Sequence, residues 1–316
     1  MLPTRRQWIA ASSALALPAC RRSGRKRIGV VPKATSHLFF VTIHSGVDKA
    51  AKDFQVDVTW NGPNDETDHG RQIQIVESML AQHVDGLAIS ATDERALASV
   101  VQKAIATGIP VAVFDSGVNA TGYVSFVATD NYGAGCTAAR RLAALTNSTG
   151  KVAMLMHKPG GTSTVLREQG FEATMKAEFP KVTIAARQYG MADEARSLAA
   201  AENILSAHPG LAGIFASSEL SSLGAMRAIR GRGLNGKVRL ITFDNSKSHL
   251  EGLREGTIDL MMVQDAFRIG YEAVSAVARK LAGETPVPRI DLPARVIAKA
   301  DLENPEVRAL LAPPGA

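Results

Sequence analysis

The 316 residues carry 36 Lys and Arg against 30 Asp and Glu, a formal charge of +6 and a pI of about 9.4. Seven of the positives (Arg5, Arg6, Arg21, Arg22, Arg25, Lys26 and Arg27) lie in the first 27 residues, where no acidic residue occurs; the remainder holds 29 basic against 30 acidic residues. That balance excludes a basic face for nucleic acid, and two cysteines, Cys20 and Cys136, exclude a disulfide framework.

Residues 1–20 read as an export signal. Arg5 and Arg6 form its charged start, and the apolar run Trp8 to Leu17 is too short for the roughly 20 residues of a spanning helix. Thr4-Arg5-Arg6-Gln7-Trp8-Ile9 resembles a twin-arginine motif, and Leu17-Pro18-Ala19-Cys20 resembles a bacterial lipobox. Acylation of Cys20 is therefore expected; Pro18, unusual at its position, leaves cleavage without lipid open. Residues 21–27 read as a basic tether holding the folded part off a membrane.

From residue 28 apolar, β-branched runs alternate with helical spacing. Strands are expected at Ile28–Val31, Val56–Trp60, Gly86–Ile89, Pro110–Phe114, Tyr123–Val127, Val152–Met156, Val182–Ala186, Gly213–Ala216, Val238–Phe243 and Leu260–Val263. Helices are expected at Thr42–Phe54, Asp68–Gln82, Arg95–Ala106, Tyr132–Leu145, over Ser163–Phe171 with Arg167 early in it, Ala192–Ala207, Ser222–Arg232 and Arg268–Leu281, with Cys136 a small buried hydrophobe in one of them. Such alternation means βαβ units, an α/β fold with doubly wound parallel sheets. Nearly 290 residues of it exceed one ordinary domain, so two lobes are expected, with a boundary near Ala128-Thr129-Asp130.

In open parallel sheets ligands bind beyond the carboxyl ends of the strands. The residues falling there are Ser36 to Phe40, Ser90 to Asp93, Asp115-Ser116, His157 to Thr162, Ser217-Ser218-Glu219, Asp244-Asn245 and Gln264-Asp265. They combine aromatic faces with carboxylates, hydroxyls and amides, which suits a sugar or polyol. Asp115 and Asp244 are the leading hydroxyl acceptors, and each charge-assisted bond is worth roughly 1.5–3 kcal/mol. The competing role for both is helix N-capping, which is the favoured reading for Asp93. No nucleophile–base pair, metal spacing or Gly-Lys-Ser/Thr phosphate loop occurs, so neither an enzyme nor a cofactor or metal is expected.

Several of these segments stand in an order that resembles the type I periplasmic binding proteins, most closely the ribose-binding branch of the sugar ABC-transporter receptors. They are Phe39-Phe40, Val113-Phe114-Asp115, Ala128-Thr129-Asp130-Asn131, Arg167-Glu168-Gln169-Gly170-Phe171, Gly213-Ile214-Phe215-Ala216, Ile241-Thr242-Phe243-Asp244 and Val263-Gln264. The resemblance spans Lys26 to Ile297 and implies two lobes joined by three crossovers, with 28–129 plus 265–293 in one and 130–264 plus 294–312 in the other. It implies that Phe40 stacks on a sugar ring beside Phe39 and Phe243, and that Asp115, Arg167, Asp244 and Gln264 bond its hydroxyls. An ABC permease is the implied protein partner, with a periplasmic, lipid-anchored monomer delivering the ligand.

His37, Ser116 and Ser218 depart from the ribose pattern, which has asparagine, arginine and asparagine there. The second stacking ring, expected after Gln188-Tyr189, is replaced near Met191-Ala192. Ribose itself is therefore not expected; another pentose or hexose, a polyol or a furanose-like signal stays open. Presentation of a bound signal to a sensor kinase or chemoreceptor is the alternative on the same fold. A transcription regulator would need a helix-turn-helix headpiece where the export signal stands, and a sugar enzyme lacks its catalytic groups.

Overall fold

The computed structural model describes residues 24–312. The twin-arginine motif, the lipobox and Cys20 lie outside the described residues. The first lobe is built from β1 (Arg27–Val31), α1 (Leu38–Asp53), β2 (Asp57–Trp60), α2 (His69–Ala81), β3 (Gly86–Ile89), α3 (Ala98–Ala106), β4 (Val111–Phe114) and β5 (Ser125–Thr129). Next come α4 (Asn131–Leu145), β6 (Gly150–Met156), α5 (Thr162–Glu178), β7 (Val182–Tyr189), α6 (Glu194–Ala207), β8 (Gly213–Ala216), α7 (Glu219–Gly231), β9 (Arg239–Phe243), α8 (Lys247–Glu255) and β10 (Leu260–Val263). The chain ends through α9 (Ala266–Leu281), β11 (Arg289–Leu292), β12 (Arg295–Ile297) and α10 (Pro305–Leu311).

The two sheets repeat one design. Strand order is β11-β5-β4-β3-β1-β2 in the first and β12-β10-β9-β8-β6-β7 in the second. All pairings are parallel except β12 on β10. Burial follows position. Gly86-Leu87-Ala88-Ile89, Val111-Ala112-Val113-Phe114 and Gly213-Ile214-Phe215-Ala216 are buried at every residue, as interior strands covered on both faces must be. The edge strands β2 and β11 alternate between covered and exposed residues instead. Each sheet lies between two apolar layers, one containing Ile43, Val47 and Val274 and another Ile75, Val76 and Val101 in the first lobe. The chain passes between sheets three times, after β5, β10 and β11, so the lobes share three crossovers.

Every strand expected from the sequence is present. Strands β11 and β12 and helices α8 and α10 are additional; β11 and β12 are only four and three residues long and each opens on an exposed arginine, which hides their periodicity. Helix α7 begins three residues earlier than expected, because Ser218 caps it by accepting the Ser221 N–H. Cys136 is half-buried rather than buried.

Two helix pairs, α1 with α9 and α4 with α5, pack backbone to backbone through glycines. A Cβ on Gly135 would strike the Arg167 carbonyl, and one on Gly170 the Tyr132 carbonyl; Gly46 and Gly270 stand in the same relation to Phe267 and Ile43. Gly135→Ala is therefore expected to cost about 1–3 kcal/mol of stability and, because α5 carries Arg167, to weaken ligand capture as well. Urea unfolding at unchanged m, with a ligand titration beside it, measures both.

Candidate functional site

The carboxyl ends of both sheets face one another. Between them lies a narrow cleft whose wall includes Lys33, Phe39, Glu66, Asp115, Arg167 and Asp244. The loops after β1, and after β6 and β8, reach it from the points where strand order reverses, the position physics favours for ligands in such sheets.

Asp115 and Asp244 occupy equivalent corners, one directly after β4 and the other directly after β9. Both adopt left-handed backbone, φ 56° and 65°, which an Asp tolerates better than most residues and which is expensive enough to suggest a reason. Neither caps a helix: Ser246 caps α8, and Asp115 accepts the Ser90 hydroxyl at 2.7 Å and faces Lys33 at 3.0 Å. Gln264 donates to Asp244 at 2.7 Å and accepts from Thr129 at 2.7 Å, tying the cleft floor to the crossover strands. Burial pushes the Asp244 carboxyl up, against the opposing pull of Arg167 and Gln264.

Arg167 is fully inside, only 2% exposed. Its guanidinium lies 3.7 Å from the Phe243 ring centroid and donates to Asn131 Oδ1 at 2.8 Å and the Ser217 carbonyl at 2.9 Å. The planar fork is thus fixed in position by the protein's own groups. Beside it, burial carries the Glu168 carboxyl up to about 7, although Ser217 Oγ and the His157 N–H both donate to it.

Lys33 is the hub of the first lobe's side. Its ammonium lies 3.0 Å from Asp115, 3.5 Å from Glu66 and 3.3 Å from Ser163 Oγ across the cleft. Burial alone would push this lysine down, but Asp115 and Glu66 outweigh it and hold it above its ordinary value. Glu66 is likewise buried, yet Lys33, His157 and His37 keep its carboxyl well below the usual range. His157 bridges the lobes: Nε2 lies 3.1 Å from Glu66 and Nδ1 2.9 Å from Ser218 Oγ, satisfied if Nε2–H donates to Glu66 and Nδ1 accepts from Ser218. Further cross-cleft bonds run from Lys158 to the Thr92 carbonyl at 2.6 Å and from the Gly117 N–H to Thr162 Oγ1 at 2.6 Å. The lobes are closed on one another.

Eight of the ten residues expected from the sequence meet in this wall: His37, Phe39, Phe40, Asp115, Arg167, Ser218, Asp244 and Gln264. Two do not. Ser116 turns instead to Ser163 across the lobe boundary, 3.2 Å away, because its short hydroxyl reaches α5 and not the cavity. Phe243 is wholly buried beneath Arg167, where it supports the guanidinium rather than offering a face. Phe40, 2% exposed, is core and wall at once, packed edge-on against Phe39 at 5.1 Å. Met191 points to solvent, and neither it nor Ala192 enters the cleft wall; both lie in left-handed backbone.

Sequence reasoning missed Lys33, Glu66, Ser163 and Thr164 in the wall. Lys33 sits two residues past β1 and could have been collected with the other strand-end residues. Glu66 carries no such signal: it stands in the loop between an edge strand and α2 and reaches the cleft only through the turn Asp65–Asp68.

Two α/β lobes of one design, three crossovers and a charged, closed cleft define a hinged solute-binding protein. Residues 28–285 match the periplasmic binding protein domain, and the chain belongs to that family. It is 30% identical over 277 residues to the ribose import binding protein RbsB of Bacillus subtilis, covering 87% of this chain and 88% of that one. It is also 30% identical to the D-ribose/D-allose-binding protein of Pseudomonas aeruginosa, over 83% of this chain and 84% of the relative. Among solved structures, a carbohydrate transporter solute-binding protein from Agrobacterium radiobacter, in complex with D-arabinose, superimposes with a TM-score of 0.88 at 30% identity over 92% of this chain and all of that chain. A solute-binding protein from Agrobacterium vitis bound to α-D-tagatopyranose gives 0.87 at 28% identity over 91% of this chain and 99% of the other.

Proposed function

We propose that this protein is the receptor of an ABC sugar importer, capturing a sugar or polyol between its lobes and presenting the closed form to a permease. The observation that carries the reading is the pair of left-handed aspartates that cap no helix, Asp115 and Asp244, sharing one cleft wall with a guanidinium fixed by Phe243, Asn131 and Ser217. Asp115 is engaged through Oδ2 and Asp244 through Oδ1, which leaves a second oxygen on each for a ligand hydroxyl. Phe39 and Phe40 offer apolar surface for ring C–H groups. The family supports a periplasmic location and a role in binding rather than catalysis, and the relatives named above support a carbohydrate.

The finer parts of the proposal are a monomer anchored through acylated Cys20, and lobes comprising 28–129 plus 265–293 and 130–264 plus 294–312. His37, Phe39, Phe40, Asp115, Arg167, Ser218, Asp244 and Gln264 are proposed to line the ligand.

A thermal-shift screen of sugars and polyols tests this reading, since a ligand at 100 times its dissociation constant adds about 2.7 kcal/mol; no response from any of them overturns it. His37 stands 3.9 Å from Glu66 and 6.0 Å from the Phe40 ring, at the mouth of the cleft. His37→Asn is expected to reorder the sugars in that screen while leaving the protein folded. An unchanged ranking removes His37 from the selectivity.

A further inference from the structure

Glu219 is the one carboxylate of the cleft wall whose acting neighbour charges are all carboxylates. It opens α7, directly after the capping Ser218, and faces the start of α1 across the cleft, where the Phe39 N–H favours its ionised form. Its Oε2 is buried with no hydrogen-bond partner. The other carboxylates of the wall are matched. Lys33 serves Asp115 and Glu66, His157 adds a bond to Glu66, and Arg167 is the neighbour that favours ionised Asp244. Among the described residues no cation lies within salt-bridge distance of Glu219; the charged groups that act on it are Asp244 after β9, Glu66 after β2 and Glu194 of α6, which is itself paired with Arg227. His37, at the N-cap of α1, and His157, bonded to the neighbouring Ser218, are the two histidines of the same wall.

We propose that the cognate ligand is a polyhydroxylated molecule carrying a basic amine, an amino sugar or aminopolyol, whose ammonium is held by Glu219. The proposal rests on the sugar-receptor reading and specifies the ligand class of that same cleft. A neutral hydroxyl would give Oε2 one partner and leave the carboxyl to keep its own proton. An ammonium supplies up to three donors and a positive charge beside the buried Oε2. Asp115 and Asp244 retain free oxygens for the hydroxyls of the same ligand. Burial first and Asp244 second push the Glu219 carboxyl up to about 8. Arrival of an ammonium reverses that balance, so binding near pH 7 displaces the carboxyl proton into solvent.

The test is calorimetric titration of the whole protein with matched pairs: D-glucose and D-glucosamine, D-galactose and D-galactosamine, D-mannose and D-mannosamine, sorbitol and its 1-amino-1-deoxy counterpart. At least one amino compound is expected to bind at least about tenfold tighter than its neutral partner. Repeating that titration in buffers of different ionisation enthalpy is expected to show proton release for the amine and none for the neutral compound. Glu219→Gln is expected to fold, to remove the amine preference and to abolish the proton release. Neutral members binding as tightly as their amino partners in every pair, or an amine preference that survives Glu219→Gln, overturns the proposal and leaves the sugar receptor standing. Absence of binding by both halves of every pair overturns the two together.

Discussion

Arg167→Met is expected to lower ligand affinity by at least about 100-fold and to destabilise the protein by about 3–5 kcal/mol, the range for breaking a buried charge network by removing one partner. The methionine keeps much of the apolar volume over Phe243 but leaves Asn131 Oδ1 and the Ser217 carbonyl without their donor. It also leaves Asp244, whose carboxyl burial already pushes up, without the guanidinium that opposes that push. Arg167→Lys separates the two losses. A lysine restores charge but cannot hold two fixed acceptors and present a fork to the cleft, so stability is expected to recover more than affinity does. Urea unfolding and ligand titration on the two variants read this split; equal recovery of both would show that the guanidinium geometry is immaterial.

Lys33→Met is expected to have the second largest effect. Removing the ammonium strands Glu66 and Asp115 within a closed wall and deletes the contact to Ser163 on the opposite lobe. A loss of about 3–5 kcal/mol at neutral pH is expected, with ligand affinity falling because closure becomes unfavourable. The pH dependence has a definite sign. Glu66 is held below its unfolded value in the native protein, so it contributes stability above that value and loses it as pH falls through the folded one. In the variant Glu66 takes up its proton at higher pH. The stability gap between native protein and variant therefore narrows as pH is lowered from 7 toward 4, measurable by urea midpoints across that range. A gap that widened on acidification would contradict the assigned partnership of Lys33 and Glu66.

These two residues differ in how visible they are before the chain is folded. Arg167 stands in a run whose neighbours, Gly170 and Phe171, mark a packed helix face, and its place near a helix start directs it to a strand-end site. Lys33 follows Pro32 at the end of β1 and is just as near the cleft in sequence terms, yet an isolated lysine after a strand reads as solvent-exposed. Only the approach of Asp115, from a strand two places away in the sheet, and of Glu66, from the edge, gives it a buried role.

Asp115 and Asp244 show a related limit. Their positions at strand ends pointed to the ligand edge, but capping competed as an explanation because the same residue type serves both tasks. The left-handed backbone at both corners, with Ser246 taking the cap at α8, separates the two. Ser116 and Phe243 sit beside them in sequence and share the same strand-end logic; side-chain length and direction send one to the lobe boundary and the other beneath Arg167.

The sequence by itself determined the α/β alternation, the interior strands and the neighbourhood of the cleft, because burial on both faces of a parallel sheet forces continuous apolar runs and strand-end chemistry is local. It also determined that the basic charge belongs to the first 27 residues and not to a face of the lobes. The tertiary structure decided which carboxylate has which cation. Charge matching depends on distances between residues far apart in the chain, such as the 130 positions separating Lys33 from Ser163 or the 91 between Glu66 and His157. That same matching leaves Oε2 of Glu219 without a hydrogen-bond partner. No periodicity in the chain encodes such a remainder; it exists only once two lobes have closed and every other charge has been assigned.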